Sequence, residues 1–424
     1  MATCFSCATP QNKGISALDQ VGSTQRTDVR AGLLTGGFDR PYAFGLAMEL
    51  VSKGAYLDVI GSDEVDSPEM HATPQVNFLN LRGSKQEAGL GRKMWRVLAF
   101  YARLLRYAAT AEPKIFHILW NDKFQYFDRT LLMLYYKLLG KKVVFTAHNV
   151  NAGKRDGKDS LFNRLTLRMQ YRLSDHIFVH TEKMKAELLE DFGVRERAVT
   201  VIPFGINNSV PDTALTPAEA KRRLGIKPEE KAILFFGAIR QYKGLEYLVD
   251  AFQKAAAKQT GYRLIIAGEP KRGAEKYLEE IQQRINQHPS REHVIQKIEF
   301  VPDSETELYF KAADILILPY TLVFQSGVLF LSYGFGLPVI ASDVGSFRND
   351  IIEGRTGFLC KPCDGDDLAR AIEEYFESDL YKNLTARRQE IRDFANSRNS
   401  WSTVGDLTVG VYAGLLEKPA PQTC

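Results

Sequence analysis

The chain has 424 residues, of which 45% are hydrophobic and 25% are charged. This length exceeds what one hydrophobic core supports, so we expect two domains or three, with a composition ordinary for a soluble globular protein. The formal net charge of +4 is small for this size and argues against a nucleic-acid-binding protein, which would concentrate Lys and Arg on one surface. No apolar run approaches the ~20 residues needed to span a bilayer.

The first 28 residues are polar and aperiodic, which predicts a disordered tail. They lack the apolar stretch of a secretory signal, so we expect a cytoplasmic protein. The chain has five cysteines, and an odd number without such a signal argues against a disulfide framework. The C-x-x-C pairs Cys4/Cys7 and Cys360/Cys363 lie too far apart in the chain for a zinc ribbon, so we predict no metal site.

Short apolar strands alternate with helical patterns from residue 29 onward. The first half has strand patterns at 30–37, 55–63, 114–120, 141–149, 176–181 and 198–207, and helical patterns at 43–54 and 128–139. Such alternation predicts a parallel sheet covered by helices on both faces. We assign residues 29–208 to this first domain.

The pattern weakens at 209–230, which we interpret as a linker, and then restarts. Strand patterns follow at 231–237, 262–270, 297–301, 314–320, 338–343 and 357–362. They predict a second domain at 231–398, followed by a final helix at 399–418. The fold class is therefore α/β, with two doubly wound, Rossmann-like domains. Ligands of such sheets bind beyond the carboxyl ends of the strands, here in the cleft between the domains.

The segment ILFFGAIRQYKG, residues 233–244, favours binding of a polyphosphate. An apolar strand ends at Gly237, Arg240 and Lys243 follow, and Gly244 opens a helical pattern. Glycine allows close approach of the backbone, the helix start offers N–H groups, and the cations supply charge. The spacing is not that of a P-loop. An ordinary strand-to-helix turn with solvated cations is the alternative.

The second half resembles the nucleotide-sugar domain of glycosyltransferase family 4, whose fold is GT-B. The resemblance rests on an ordered series: FFGAIRQYKGLEYLVDAF, LIIAGEP, IEFVPDSETELYFKAADILILPY, QSGVLFLSYGFGLPVIASDVGSF and GRTGFLCKPCDGDDLARAIEE. In the first half, GG at 36–37, TAHN at 146–149 and VIPFGIN at 201–207 also fit. The resemblance covers residues 29–415 and implies two domains facing across a cleft, with the final helix crossing back to the first.

The resemblance implies retaining, metal-independent transfer of a sugar from a nucleotide-diphosphate sugar. Lys243 matches the family's phosphate-binding lysine, and Arg240 is expected to help it stabilise the leaving diphosphate. His148 matches a histidine near the hydroxyls of the donor sugar. No cofactor is expected beyond the UDP- or GDP-linked co-substrate. Further donor contacts are expected from Gly36, Gly37, Gly237, Val301, Gln325, Ser326 and Gly327.

Three positions depart from the pattern of many family members, in which they are acidic. They are Val323, Leu331 and Asn349 in this chain. The departures keep open the alternative of a non-catalytic partner subunit. A second alternative is an enzyme of another class on the same fold, such as a nucleotide-sugar epimerase. The epimerase would need acidic and basic groups around a sugar ring, and the sequence offers no convincing set.

Residues 91–108 form a basic amphipathic helical pattern. Arg92, Arg96, Arg103 and Arg106 share one face, and apolar residues lie opposite. Such a helix can dock on anionic lipid, although a sheet-covering helix with a cationic face would look the same. Together with the resemblance, the pattern suggests a glycan or lipid-linked acceptor in bacterial polysaccharide or cell-envelope assembly, and contact with the inner face of the membrane.

Overall fold

The computed structural model describes residues 29–37, 39–83, 90–155, 159–206 and 210–417. The predicted tail, with Cys4 and Cys7, lies outside these residues. The strands of the first half are β1 (Arg30–Leu34), β2 (Tyr56–Gly61), β3 (Val76–Asn80), β4 (Ile115–Ile118), β5 (Lys142–Thr146), β6 (His176–Val179) and β7 (Val199–Val201). Those of the second half are β8 (Lys231–Phe236), β9 (Tyr262–Ala267), β10 (Val294–Lys297), β11 (Ile315–Leu318), β12 (Val339–Ser342) and β13 (Gly357–Cys360).

Helices separate all consecutive strands of the described chain. In the first half they are α1 (Arg40–Ser52), α2 (Pro68–Ala72), α3 (Leu90–Thr110), α4 (Gln125–Phe127), α5 (Met133–Leu138), α6 (Ala152–Arg155), α7 (Leu161–Leu173) and α8 (Glu182–Phe192). The next are α9 (Pro217–Arg223), α10 (Leu245–Lys258), α11 (Glu275–Gln287), α12 (Asp303–Ala312), α13 (Gly327–Gly334) and α14 (Phe347–Asp350). The last are α15 (Gly365–Glu377), α16 (Asp379–Lys382), α17 (Leu384–Arg398) and α18 (Trp401–Leu416). Within the described ranges, no helix combines the length and hydropathy needed to cross a bilayer.

Two parallel sheets organise the molecule, as the alternating pattern predicts. The first has the order β3-β2-β1-β4-β5-β6-β7, and the second has the order β10-β9-β8-β11-β12-β13. Four of the five strands that precede predicted site residues, β1, β5, β8 and β11, are central and buried along almost their whole length, whereas Val301 follows the edge strand β10. This confirms a doubly wound α/β fold, in which loops after the central strands are held by rigid neighbours.

Two segments differ from the sequence-based prediction. The strand expected at 297–301 lies earlier, at Val294–Lys297, and Phe300 is 67% exposed. This strand is the edge of its sheet, where burial is incomplete and the apolar pattern is a weak guide. The segment 209–230 contains α9, which begins with the capping pair Thr216 and Glu219 and packs on α12.

The final helix α18 packs against α1 of the first half. The Trp401 ring fills the space beside Gly45 and Gly205, where an added Cβ would lie 2.4 and 2.3 Å from ring atoms. The Trp401 indole donates a hydrogen bond to the Ile206 carbonyl at 2.8 Å. Because α17 ends on the second domain and α18 lies on the first, the chain crosses between the two sheets a second time at residues 399–401.

Candidate donor site in the cleft between the two sheets

The loop after β1 is placed against the end of β4. Gly36 and Gly37 both have left-handed backbone, with φ of 62° and 70°, which favours glycine. A Cβ on Gly36 would lie 2.8 Å from the Trp120 Cβ, and one on Gly37 would lie 2.7 Å from an Arg82 nitrogen. The double glycine therefore serves both the turn and a close approach to neighbouring strand ends.

His148 follows β5 and lies in an aromatic enclosure. Its ring stacks on Trp120 with centroids 4.4 Å apart and an interplanar angle of 5°, and Tyr42 meets it edge-on at 4.7 Å. Its Nδ1 lies 3.0 Å from Nε2 of His180. Its Nε2 is buried and has no hydrogen-bond partner among the described residues. Burial, together with the neighbouring His180 ring, lowers the pKa of His148 well below its usual value.

Arg82 and Asp122 flank the glycine loop and were not predicted from the sequence. The Arg82 guanidinium donates to the Gly36 carbonyl and pairs with Asp122. Burial raises the pKa of the Asp122 carboxyl to about 6. Both residues line a small cavity that reaches the double glycine. The ion pair therefore fixes the loop at the mouth of the cleft.

The second sheet brings Gly237 and Lys243 together. A Cβ on Gly237, whose φ is 98°, would lie 3.3 Å from Lys243 Nζ and 3.6 Å from the Val328 side chain. Lys243 is 7% exposed, and it forms no ion pair with any residue that the structure describes. Burial lowers the pKa of its ammonium to about 8. Lys243 Nζ also lies 5.2 Å from the centre of the Tyr320 ring.

Arg240 is exposed at the rim of the same region. It precedes the short 3₁₀ turn of residues 241–243, and its side chain lines a groove together with Lys271 and Arg272. The positive charge of Arg240 contributes to the lowered pKa of Lys243. The structure thus gives the two predicted cations different environments, one buried and one open to solvent.

The segment before α13 supplies polar groups beside Lys243. Gln325 has a buried Oε1 without a partner in the described part of the chain. Ser326 is the N-cap residue, but its side chain forms no capping hydrogen bond, and Gly327 is exposed. The first turn of a helix leaves N–H groups without intrahelical acceptors, and these favour an anion. Val328 of this turn is the residue that borders Gly237.

Val301 and the three positions that depart from the family pattern offer no acidic side chain to a donor. Val301, Val323 and Leu331 are buried in the core of the second domain. Asn349 is exposed on α14, and its carbonyl accepts a hydrogen bond from Arg398 at 3.1 Å. Recognition of a nucleotide at Val301 would therefore have to use backbone groups.

Phe204, in the segment after β7, joins the two halves of the site. Its ring lies 6.1 Å from His148 and 5.0 Å from His180, and it stacks on Phe330 of α13 at 5.6 Å. A Cβ on Gly327 would lie 3.7 Å from it. The histidine of the first sheet and the helix start of the second therefore share one aromatic contact.

His180, Trp120 and Phe204 were missed by sequence reasoning as site residues. His180 was not predicted, because one sequence does not show which strand ends are neighbours. All three lie within three residues of the carboxyl end of a strand of the first sheet, and this position is the signal from which they could have been predicted. His117 is structural, since it is buried between Thr146 and Tyr412 with hydrogen bonds of 2.7 and 2.6 Å.

Two family models match the chain. The model of Glycosyltransferase Family 4 matches residues 41–210, and that of Glycosyl transferases group 1 matches residues 218–393. Together they cover about four fifths of the chain. Each match contains one of the two sheets almost completely, so the division seen in the fold coincides with the division between the two models.

Named relatives agree with these matches. An uncharacterized glycosyltransferase of Methanocaldococcus jannaschii is 25% identical over 280 residues, which are 65% of this chain and 70% of the relative. A D-inositol 3-phosphate glycosyltransferase of Pseudarthrobacter chlorophenolicus is 26% identical over 258 residues, and the match spans 59% of each protein.

A solved structure has the same fold. Anabaena Alr3699/HepE in complex with UDP superimposes with a TM-score of 0.70 at 16% identity, over 92% of this chain and 100% of that protein. With both family models matched along the chain, and both sheets present, the chain belongs to glycosyltransferase family 4 and is a glycosyltransferase of the GT-B fold.

Proposed function

We propose that this chain is a retaining, metal-independent glycosyltransferase that uses a UDP- or GDP-linked sugar. The observation that carries the proposal is the buried ammonium of Lys243, which lacks an anionic partner among the described residues and borders a space that Gly237 leaves open. Burying an unpaired charge costs several kcal/mol, so a bound anion would complete this arrangement. Anabaena Alr3699/HepE has been solved with UDP and with UDP-glucose, which favours UDP as the first nucleotide to test.

The leaving diphosphate would be stabilised by three features of the second domain. Lys243 would neutralise the charge that develops when the glycosyl–phosphate bond breaks. N–H groups at the start of α13 would bind other phosphate oxygens. Arg240, at the exposed rim, would approach the diphosphate when the donor is bound. Together these groups would do the work that a metal ion does in other transferases.

The first domain would hold the donor sugar and admit the acceptor. His148 would meet a sugar hydroxyl, and the Gly36–Gly37 loop would lie over the reacting carbon. In the proposed front-face reaction, the acceptor attacks from the side on which the diphosphate departs, and the departing phosphate takes the acceptor's proton. Closure of the cleft would exclude water and so limit hydrolysis of the donor.

The proposed acceptor is a glycan or lipid-linked glycan, as in bacterial polysaccharide or cell-envelope assembly. The observation that favours a membrane-bound acceptor is an apolar surface on the first domain. Its members are large exposed side chains of three neighbouring segments: Met94, Trp95, Leu98, Phe124, Tyr126, Leu161 and Phe162. Ring contacts join the segments, since Phe124 stacks on Tyr101 of α3 and Tyr126 lies 4.8 Å from Phe162. Basic residues Arg92 and Lys93 are exposed beside it.

The direct test is hydrolysis of a panel of UDP-, GDP- and ADP-linked sugars, with thermal shift by the matching nucleotides. We expect one nucleotide to stabilise the protein, by about 2.7 kcal/mol at one hundred times its Kd. Lys243→Ala should abolish this stabilisation and the hydrolysis. Lys258→Ala, which removes an exposed lysine paired with Glu373, is the matched control and should change neither.

Val323 and Leu331 favour a second candidate function, that of a non-catalytic partner subunit. Both are buried in the core of the second domain, so neither side chain could hold a ribose or sugar hydroxyl. If no donor of the panel is hydrolysed and no nucleotide gives a thermal shift, the results would favour this alternative. A thermal shift that Lys243→Ala leaves intact would instead contradict the proposed position of the diphosphate.

A further inference from the structure

His148 and His180 form a hydrogen-bonded pair that ends on the backbone of the interdomain segment. His148 Nδ1 lies 3.0 Å from His180 Nε2, and His180 Nδ1 lies 3.3 Å from the Ile202 carbonyl oxygen. The pair follows from sheet register, because β5 and β6 align Thr146 with Phe178. Two residues further along, the same alignment sets His148 opposite His180.

The direction of each hydrogen bond can be assigned from this chain of contacts. A carbonyl oxygen only accepts, so the Nδ1 of His180 must carry a proton. Burial lowers the pKa of His180 to about 4, so its ring is neutral near pH 7 and its Nε2 is bare. That bare nitrogen accepts from Nδ1–H of His148. His148, neutral for the same reason, must then have a bare Nε2.

The surroundings hold the His148 ring in this orientation. Trp120 covers one face at 4.4 Å, Tyr42 packs edge-on at 4.7 Å, and Phe204 lies 6.1 Å away. The Nε2 of His148, which carries no proton in this tautomer, is buried and has no hydrogen-bond partner among the described residues. An acceptor nitrogen buried without a donor is costly unless a ligand supplies one.

We infer that His180 is a positioning residue, which holds His148 in the Nδ1–H tautomer so that its Nε2 accepts a hydrogen bond from a hydroxyl of the donor sugar. The identity of that ligand rests on the proposed function, whereas the tautomer does not. The assignment restricts the substrate class at this point of the site. An O–H group fits opposite Nε2, while a carboxylate or a fluorine atom, which can only accept, does not.

The tautomer can be read directly by NMR of the full chain with ¹⁵N-labelled histidine, at pH 7 and without nucleotide. The chain has seven histidines, so single substitutions assign the signals. We expect His148 to carry its proton on Nδ1 and to show an unprotonated Nε2. In His180→Leu, His148 should no longer favour the Nδ1–H tautomer. In His180→Gln it should still favour this tautomer, because the amide oxygen of Gln can accept a hydrogen bond from His148 Nδ1–H. A proton on Nε2 in the unchanged protein, or the same tautomer in His180→Leu, would overturn the inference.

Turnover provides a second readout with UDP-glucose as the probe. We expect His180→Leu to lower kcat for donor hydrolysis at least tenfold with less than a threefold change in KM, because the diphosphate provides most of the affinity. His180→Gln should recover part of kcat, and an unchanged kcat in His180→Leu would count against a positioning role. If the unchanged protein hydrolyses no donor, the proposed function fails, and the NMR result alone decides the role of His180.

Discussion

Lys243 shows how burial prepares a single side chain for one kind of ligand. Its ammonium is enclosed, and its pKa is lowered to about 8, so the free protein holds this charge only weakly. A diphosphate beside it would favour the charged form and raise the pKa again. Binding of the nucleotide and protonation of Lys243 are therefore coupled, which makes the affinity depend on pH in a defined direction.

We predict that the Kd for UDP rises about fivefold between pH 8 and pH 9, because the free protein loses the Lys243 proton as pH passes its folded-state pKa. The terminal phosphate does not contribute over this range, since its second pKa is about 6. In Lys243→Arg the guanidinium stays charged, so the Kd should vary little with pH. Isothermal titration across pH 7 to 9 tests this, and a pH dependence that the arginine variant shares would contradict it.

Individual site residues could be predicted from the sequence where they lie together in one short segment of the chain. Gly237 and Lys243 stand six residues apart, and one strand-to-helix turn brings them together. His180 could not be found this way, since its contact with His148 depends on the register of β5 with β6, and the two histidines are 32 residues apart in the chain. Arg82 and Asp122 were missed as well, because they follow β3 and β4, and the sequence does not show that side chains after these strands meet although β2 and β1 lie between them in the sheet.

Helix α3 combines a buried half and an exposed half. Phe100, Tyr101 and Leu104 pack in the core of the first domain, as a sheet-covering helix requires. Toward its N-terminus, Met94, Trp95 and Leu98 are 57%, 70% and 51% exposed. The predicted helix at 91–108 is therefore confirmed. Its C-terminal part covers the sheet, and contact of its exposed N-terminal part with lipid stays a prediction.

We predict that the chain binds vesicles containing anionic lipid through this exposed half. Replacing Trp95 and Leu98 by Ser, or Arg92 and Lys93 by Glu, should reduce co-flotation at least fivefold, because the first pair removes apolar burial and the second reverses the attraction to lipid phosphate. Arg103 is left unchanged, since it donates to the Leu81 carbonyl at 2.9 Å.

The matched control for flotation changes two exposed basic residues of the second domain, Lys276 and Arg291, to Glu. This variant has the same net charge as the Arg92 and Lys93 variant but leaves α3 intact. Equal flotation of all variants would remove α3 from the membrane proposal. Loss in the control as well would indicate attraction by overall charge and not by one surface.

Elements were predicted well where burial was complete and poorly where it was partial. The central strands are continuous apolar runs, and all were found from the sequence. The edge strand β10 was placed three residues late, and β3, an edge strand of the first sheet, was not predicted, because half-buried residues blur the apolar pattern. Helix α9 was overlooked inside a polar segment, although Thr216 and Glu219 have the spacing of a capping box and the Thr216 side chain accepts a hydrogen bond from the Glu219 N–H.

For the whole molecule, packing of Trp401 against Gly205 is a test of how the domains are joined. A Cβ on Gly205 would lie 2.3 Å from the Trp401 ring, so Gly205→Ala must displace the indole. We predict a loss of about 1–3 kcal/mol in the free energy of unfolding, as for other overpacked sites. Urea denaturation measures it.

Gly410→Ala is the control, because Gly410 lies in α18 with open space around it. Alanine within a helix should leave stability unchanged or raise it by up to about 1 kcal/mol. If the Gly205→Ala protein were as stable as the Gly410→Ala protein, the Trp401 indole would not be tightly packed at the interdomain segment. Its contact with that segment would then contribute little to holding the domains together.

The two chain crossings between the domains are tied to each other. Asn399 donates from its side chain to the Phe204 carbonyl at 3.0 Å, and the Ile206 N–H donates to the Asn399 carbonyl at 3.4 Å. A single connection would let one domain swivel freely on the other, whereas two joined connections define an axis. Two joined connections restrict the relative movement of the domains mainly to rotation about that axis, and such a rotation would open or narrow the cleft between the two sheets.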